Sequence, residues 1–296
     1  MLDDEIREVL SRELGAPVSL VPLSRDGKSS VFRASAGGRD YFVKYPDDST
    51  RIHAVLKVAN GCRFLPPSPF AEPYRFKDGF LDCHAWCASD TVPPERWNDR
   101  QLKSFADAYD EFSAVLQRTE SFGEQEDDGE FFSTIRDYAA RHRLAARMIR
   151  PLLEIPAEER TYGSGDRLSV IHGDLHSANY GFLGDAFAYF YDVDNVLRGF
   201  PADDLAYTVL DRAQRLSTSR AAFGRCAEIL RYLISRFGGS PREWRVAVNR
   251  KRIRQAASKI LRRPESVLPA LAIRSRDARA VELMKAAGLL GSGRER

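Results

Sequence analysis

With 296 residues, 43% of them hydrophobic, the chain can bury an ordinary core as one large or two modest domains, and this composition excludes a disordered protein. Its 45 Lys and Arg against 42 Asp and Glu leave a formal net charge of +3, too small to argue for nucleic acid, so any electrostatic specialisation is local. No apolar run approaches the about 20 residues of a membrane span, and the acidic start Asp3-Asp4-Glu5 is unlike a secretion leader; the expectation is a cytoplasmic protein with four reduced cysteines.

From Asp3 to Leu14, apolar Ile6, Leu10 and Leu14 recur among charges and Gly15 supplies a stop, which predicts an amphipathic helix. Residues 18–23, 30–36 and 41–45 are rich in β-branched and aromatic side chains and predict strands, the last two joined by a hairpin turn at Gly37-Gly38-Arg39-Asp40. A short helix is expected at 50–59, an extended passage at Pro66-Pro67-Ser68-Pro69, and two further strands at 74–76 and 80–85. Beyond Val92-Pro93-Pro94 the period becomes helical, over 99–119 and again over 131–153, with the acidic loop Glu124 to Glu130 between them. Helix resumes from Asp204, broken most clearly at Gly238-Gly239-Ser240. Cys83-His84-Ala85-Trp86-Cys87 invites a zinc reading, but zinc wants a second ligand pair and none follows at suitable spacing.

The chemistry lies between the helical blocks. Short apolar strands at 168–171 and 187–191 would bring the residues after each strand together at one end. After the first comes His172-Gly173-Asp174-Leu175-His176-Ser177-Ala178-Asn179, and after the second Asp192-Val193-Asp194. Asp174 has the position of a general base for a substrate hydroxyl, while Asn179 and Asp192 offer the hard oxygens that magnesium takes alongside water and phosphate. His172 is expected to fix the loop, because magnesium rarely takes imidazole. Two other motifs fail on spacing. Gly27-Lys28-Ser29 would need the first glycine of a phosphate loop at Pro22. A dinuclear phosphoesterase built on Gly173-Asp174 and Asp82-Cys83-His84 would need a further carboxylate and an Asn-His that are missing.

These residues, with Asp204-Leu205-Ala206 after them, resemble the aminoglycoside phosphotransferase and choline kinase family, relatives of the protein kinases; the match is close over 170–207 and loose elsewhere. The resemblance implies ATP and Mg2+ as cofactors, Asp174 as the catalytic aspartate, Asn179 and Asp192 as metal ligands, and Asp204 as a helix cap that braces the catalytic loop. It makes Lys44, in Tyr41-Phe42-Val43-Lys44, the phosphate-binding lysine, and puts the phosphate-covering turn at 24–30 with Gly27, Ser29 and Ser30. The family's glutamate partner for that lysine is missing, since 50–63 contains no acid; Asp47, Asp48 or the nucleotide itself would have to orient Lys44.

The acceptor is less legible. Arg242, Arg245, Arg250, Lys251, Arg252, Arg254, Lys259, Arg262 and Arg263 crowd one predicted helix against the lone acid Glu243, which fits either a solvated face or an anionic acceptor. The acidic loop would instead suit a cationic one. The expectation is an α+β, bilobal, protein-kinase-like fold, with a nucleotide-clamping sheet lobe over 1–88 and a helical catalytic and acceptor-binding lobe over 89–296. It would move the γ-phosphoryl group of ATP to a hydroxyl of a small molecule, a sugar, amino alcohol or antibiotic. The alternatives are a Ser/Thr protein kinase or a catalytically weak nucleotide-binding regulator.

Overall fold

The computed structural model describes residues 2–25, 30–47, 61–70, 74–77, 79–118, 122, 128–163, 168–216 and 219–290. The turn residues Gly27 and Ser29, Asp48, the expected helix at 50–59 and most of the acidic loop lie outside them.

Helix α1 (Leu2–Leu14) buries Ile6, Val9 and Leu10 against an antiparallel sheet. Strands β1 (Val18–Arg25), β2 (Ser30–Ala36), β3 (Arg39–Asp47), β4 (Tyr74–Phe76) and β5 (Gly79–Ala85) stand in the order β1-β2-β3-β5-β4. The turn between β2 and β3 holds Gly37 at φ 55 and Gly38 at φ 77, the pair of positive angles a two-residue hairpin requires, and it closes on Ala36 opposite Arg39. Alternation then sorts the sheet's two faces. Tyr41, Val43 and Tyr45 enter the core, so Phe42 and Lys44 face the other way.

The rest of the chain is mainly helical. Helix α2 (Asp99–Leu116) starts with a capping box, Asn98 Oδ1 accepting from Gln101 N at 2.9 Å and Gln101 Oε1 accepting from Asn98 N at 3.1 Å. The single helix expected over 131–153 is two, α3 (Gly129–Arg141) and α4 (Arg143–Leu153). His142 between them leaves helical geometry with its ring Nε2 3.0 Å from the Pro264 carbonyl, while the Tyr138 hydroxyl donates to Ser266 O at 2.6 Å. The apolar stripe continues across the break, which is why periodicity alone read one element.

The two site strands are present and each pairs with another strand. Strand β6 (Ser169–Ile171) pairs with β9 (Leu197–Gly199), and β7 (Tyr180–Leu183) forms a hairpin with β8 (Ala186–Phe190). Helices α5 (Pro201–Arg215), α6 (Arg220–Phe237), α7 (Pro241–Arg262) and α8 (Leu268–Ala286) complete the described chain. None of the described helices is long and apolar enough to cross a membrane.

One core lies between α1 and the sheet; a larger aromatic one gathers Trp97, Phe105, Tyr109, Phe112, Tyr180 and Phe190. Cys62, Phe64 and Leu65 belong to the larger core although they precede β4. Their segment straps the two parts together: Phe190 N donates to Phe64 O at 2.8 Å, and Ala85 N donates to Pro67 O at 2.9 Å. After β5, Asp90 exchanges both backbone hydrogen bonds with Phe182 of β7, at 2.8 and 2.9 Å.

Candidate active site

A cleft of about 600 Å3 opens between the free face of the sheet and the β7–β8 hairpin. Lys44 and Phe42 of β3, Asp82 and His84 of β5, and Asn179 and Asp192 line it. Lys44 Nζ lies 3.2 Å from Asp192 Oδ1 although 148 positions separate them in sequence. The acid beside the lysine is thus the expected metal ligand. Ser30, at the start of β2, pairs with Tyr45 and sits one register step from the Val31–Lys44 pair.

Asp192 reaches this position by a backbone device. Its φ of 52 and ψ of 56 place a non-glycine residue in the left-handed region, a conformation that costs about 1 kcal/mol or more and needs support from its surroundings. Tyr191 supplies the support. Its N donates to Asn179 O at 2.8 Å, its carbonyl accepts from His172 Nε2 at 2.7 Å, and its hydroxyl shares a 2.6 Å hydrogen bond with Ser89. His172 is fully buried and fixes the loop, as its chemistry suggests.

Asn179 Nδ2 donates to the Asp174 carbonyl at 2.9 Å, which leaves Asn179 Oδ1 as an acceptor toward the cleft. That oxygen and the half-exposed Asp192 carboxylate are a donor set that fits magnesium, which takes few protein ligands and keeps water and phosphate oxygens for the rest. Asp174 itself has 36% of its side chain exposed, with His176 Nε2 3.7 Å from its Oδ2.

The loop carrying Asp174 is held from beneath. Asp204 accepts from His172 N at 2.5 Å, Gly173 N at 2.9 Å and the Tyr109 hydroxyl at 3.0 Å. It braces the loop but does not cap the helix: α5 begins at Pro201 after Phe200, and Asp204 is its fourth residue with both oxygens spent on the loop and Tyr109. Burial pushes its carboxyl above the usual range, against the pull of His172, Lys251 and the bound N–H groups. Gly173, at φ 82, has no room for a side chain, since a Cβ there would come 2.2 Å from Asn195 O.

Three residues of this region, Lys251, Asp82 and His84, take positions here that the sequence did not indicate. Lys251 of α7 is buried, donates to Gly173 O at 3.3 Å and lies 3.9 Å from the centre of the Tyr207 ring. Burial holds its amine below the usual lysine range, offset by Asp204, Asp174 and Asp203. In the cleft, His84 has Nε2 2.5 Å from Asp82 Oδ1 and Nδ1 3.1 Å from Pro66 O. Burial pulls its pKa down, but the Asp82 carboxylate and the Pro66 carbonyl together raise it. Only the alternation of β5, which puts residues 82 and 84 on the face of Lys44's partner register, could have signalled this pair.

The basic helix is the largest departure. Residues 246–253 of α7 are all buried, and several cations of the helix pair with acids: Arg245 with Glu159 at 2.9 Å, Arg250 with Asp128 at 2.8 Å, and Arg252 with Asp277 at 2.7 Å. Arg254 also binds Asp128, so the end of the acidic loop and the basic helix satisfy each other.

Comparison with known proteins agrees with this arrangement. The family model of the phosphotransferase enzyme family matches residues 19–236. Spectinomycin phosphotransferase APH(9)-Ia, solved with ADP and spectinomycin, superposes with a TM-score of 0.69 at 11% identity, over 97% of this chain and 98% of that one. A choline/ethanolamine kinase family protein from Mesorhizobium loti gives 0.60 at 17% identity, covering 96% and 95%. A thermostable mutant of aminoglycoside phosphotransferase APH(4)-Ia, in a ternary complex with AMP-PNP and hygromycin B, gives 0.61 at 17%, covering 98% and 99%. No curated protein sequence matches the chain.

Proposed function

Because the chain belongs to the phosphotransferase enzyme family, we propose that it transfers the γ-phosphoryl group of ATP to a hydroxyl of a small molecule. The observation that carries the reading is the convergence of Lys44, Asp192 and Asn179 on one cleft, with Asp174 on the adjoining braced loop. The relatives solved with ADP or AMP-PNP support a nucleotide in the cleft, clamped by a small lobe ending near residue 88.

Lys44 holds the phosphates, exchanging its contact with Asp192 for phosphate oxygens. Magnesium, held by Asn179 Oδ1 and Asp192, would offset the phosphate charge when bound. Asp174 accepts a hydrogen bond from the acceptor hydroxyl and aims it in line with the γ-phosphorus. As the new O–P bond forms, the bond to the β,γ-bridging oxygen breaks, ADP departs, and the hydroxyl proton passes to the Asp174 carboxylate. Lys251 and Asp204 keep that carboxylate in place through the backbone of His172 and Gly173.

The test is ATP consumption by wild type and Asp174→Ala across sugars, amino alcohols and antibiotics. An acceptor should accelerate wild-type turnover at least about 100-fold over the variant, with the melting temperature unchanged. Nucleotide binding without any such acceleration would sink the enzyme reading and leave a regulator.

A further inference from the structure

Two carboxylates flank Lys44, and the chemistry proposed for the cleft uses only one of them. Asp192 meets the amine at 3.2 Å from the side of the cleft facing the sheet. The other is Asp82. In the ladder between β3 and β5, Lys44 stands directly opposite Asp82, and Phe42 directly opposite His84. Residues opposed in an antiparallel pair share one face of the sheet, with Cβ atoms about 4.5–5.5 Å apart. That face is the wall of the cleft, and all four side chains line it.

Asp82 is built into this wall. It is only 4% exposed, whereas the side chain of Asp192 is 47% exposed. A carboxylate so far out of water needs a cation. Its ion-pair partner among the described residues is His84 on the same strand, with Nε2 2.5 Å from Asp82 Oδ1. The histidine is anchored in turn by Nδ1, 3.1 Å from the carbonyl of Pro66 in the strap. With an acceptor at each nitrogen, the ring is best satisfied as the doubly protonated imidazolium. Backbone carbonyl, imidazolium and carboxylate thus form a line that fixes where the charge of Asp82 sits and leaves its second oxygen to a further donor.

Nucleotide binding creates the need for such an acid. Once phosphates enter, Asp192 turns to magnesium and gives up the lysine, and residues 50–63 after β3 hold no Asp or Glu to replace it. An ammonium on a four-carbon stem with no carboxylate beside it loses rotamer freedom when it binds phosphate, and it binds less well for that loss. Asp82 escapes the competition that removes Asp192, because it belongs to the sheet and not to the loops that carry Asn179 and Asp192.

We propose that Asp82, locked by His84, is the residue that positions Lys44 when nucleotide occupies the cleft: the amine passes from Asp192 to a place between Asp82 and the phosphates. The acid that the segment after β3 lacks is supplied by the neighbouring strand. This inference rests on the phosphotransferase reading for its nucleotide. Asp82 and His84 are positioning residues, acting on the phosphates through the lysine alone.

A double-mutant cycle tests it. Calorimetric titration with AMP-PNP and magnesium is carried out on wild type, Asp82→Asn, Lys44→Met and the double variant, with melting temperatures for all four. Asp82→Asn keeps the shape of the side chain and should weaken AMP-PNP binding at least about 5-fold beside Lys44, but by less than about 2-fold in the Lys44→Met background, because its effect passes through the amine. Asp82→Glu, which returns a carboxylate on the side of an open cleft, should recover most of the loss. Should Asp82→Asn not fold, His84→Gln in the same cycle reads the same coupling one contact further back. A carboxylate that only supports the fold would lower affinity by the same factor with and without Lys44; that result, or wild-type affinity in Asp82→Asn, overturns the inference and leaves the kinase reading intact. ATP consumption across the acceptor panel then separates the two claims: coupled losses of AMP-PNP affinity without turnover on any acceptor support the role of Asp82 while the enzyme reading fails. Wild type that binds no AMP-PNP would overturn both.

Discussion

Lys44 meets Asp192 across the cleft in an ion pair whose acid is 47% exposed, whereas the loop bearing Asp174 is tied to Asp204, Tyr109, Thr208 and Lys251 beneath it. The first contact is cheap to break, since a half-exposed pair contributes only about 0–1 kcal/mol. The second set is buried and expensive. The contrast follows from what each side must do: a lysine that meets incoming phosphates must give up its partner, while a carboxylate that aims a hydroxyl must not move.

Breaking the braced side should have the largest effect. Asp204→Ala strands two loop N–H groups and the Tyr109 hydroxyl in a buried site, and should cost about 3 kcal/mol or more in urea unfolding and abolish turnover. On the exchangeable side, Lys44→Met should raise the KM for ATP about 10-fold or more, with unfolding free energy changed by less than about 1 kcal/mol. A drop in stability as large as that of Asp204→Ala would erase the distinction between the two sides. The smallest effect concerns His84, which joins the strap to the sheet. Its folded pKa lies above the unfolded value, so its contribution is fully present below about pH 6.5 and is lost as pH rises through the folded pKa. Thermal melts of wild type should lose stability across that window relative to His84→Asn, whose profile should be flatter.

Much of the fold was legible because it rests on local rules. The glycine pair at 37–38 demanded a hairpin, and the β-branched and aromatic run at 41–45 marked the strand that carries Lys44. The loop from His172 to Asn179 was readable for the same reason: its backbone turns on Gly173, and its chemical groups sit within a few residues of one another.

The rest depended on partners far away in sequence. His142 at the helix break hydrogen-bonds the Pro264 carbonyl, Lys251 reaches beneath the loop to Gly173, and Asp192 is an acid beside Lys44. Most of all, the sequence determined that α7 would be a helix dense with positive charge, but not which way the charges would face. Residues 246–253 are buried, and acids from four separate segments pair with several of the cations. Helical period and turn geometry are properties of adjacent residues and can be read along the chain. The cancellation of one charge by another is a property of distance in space, which only the tertiary structure decides.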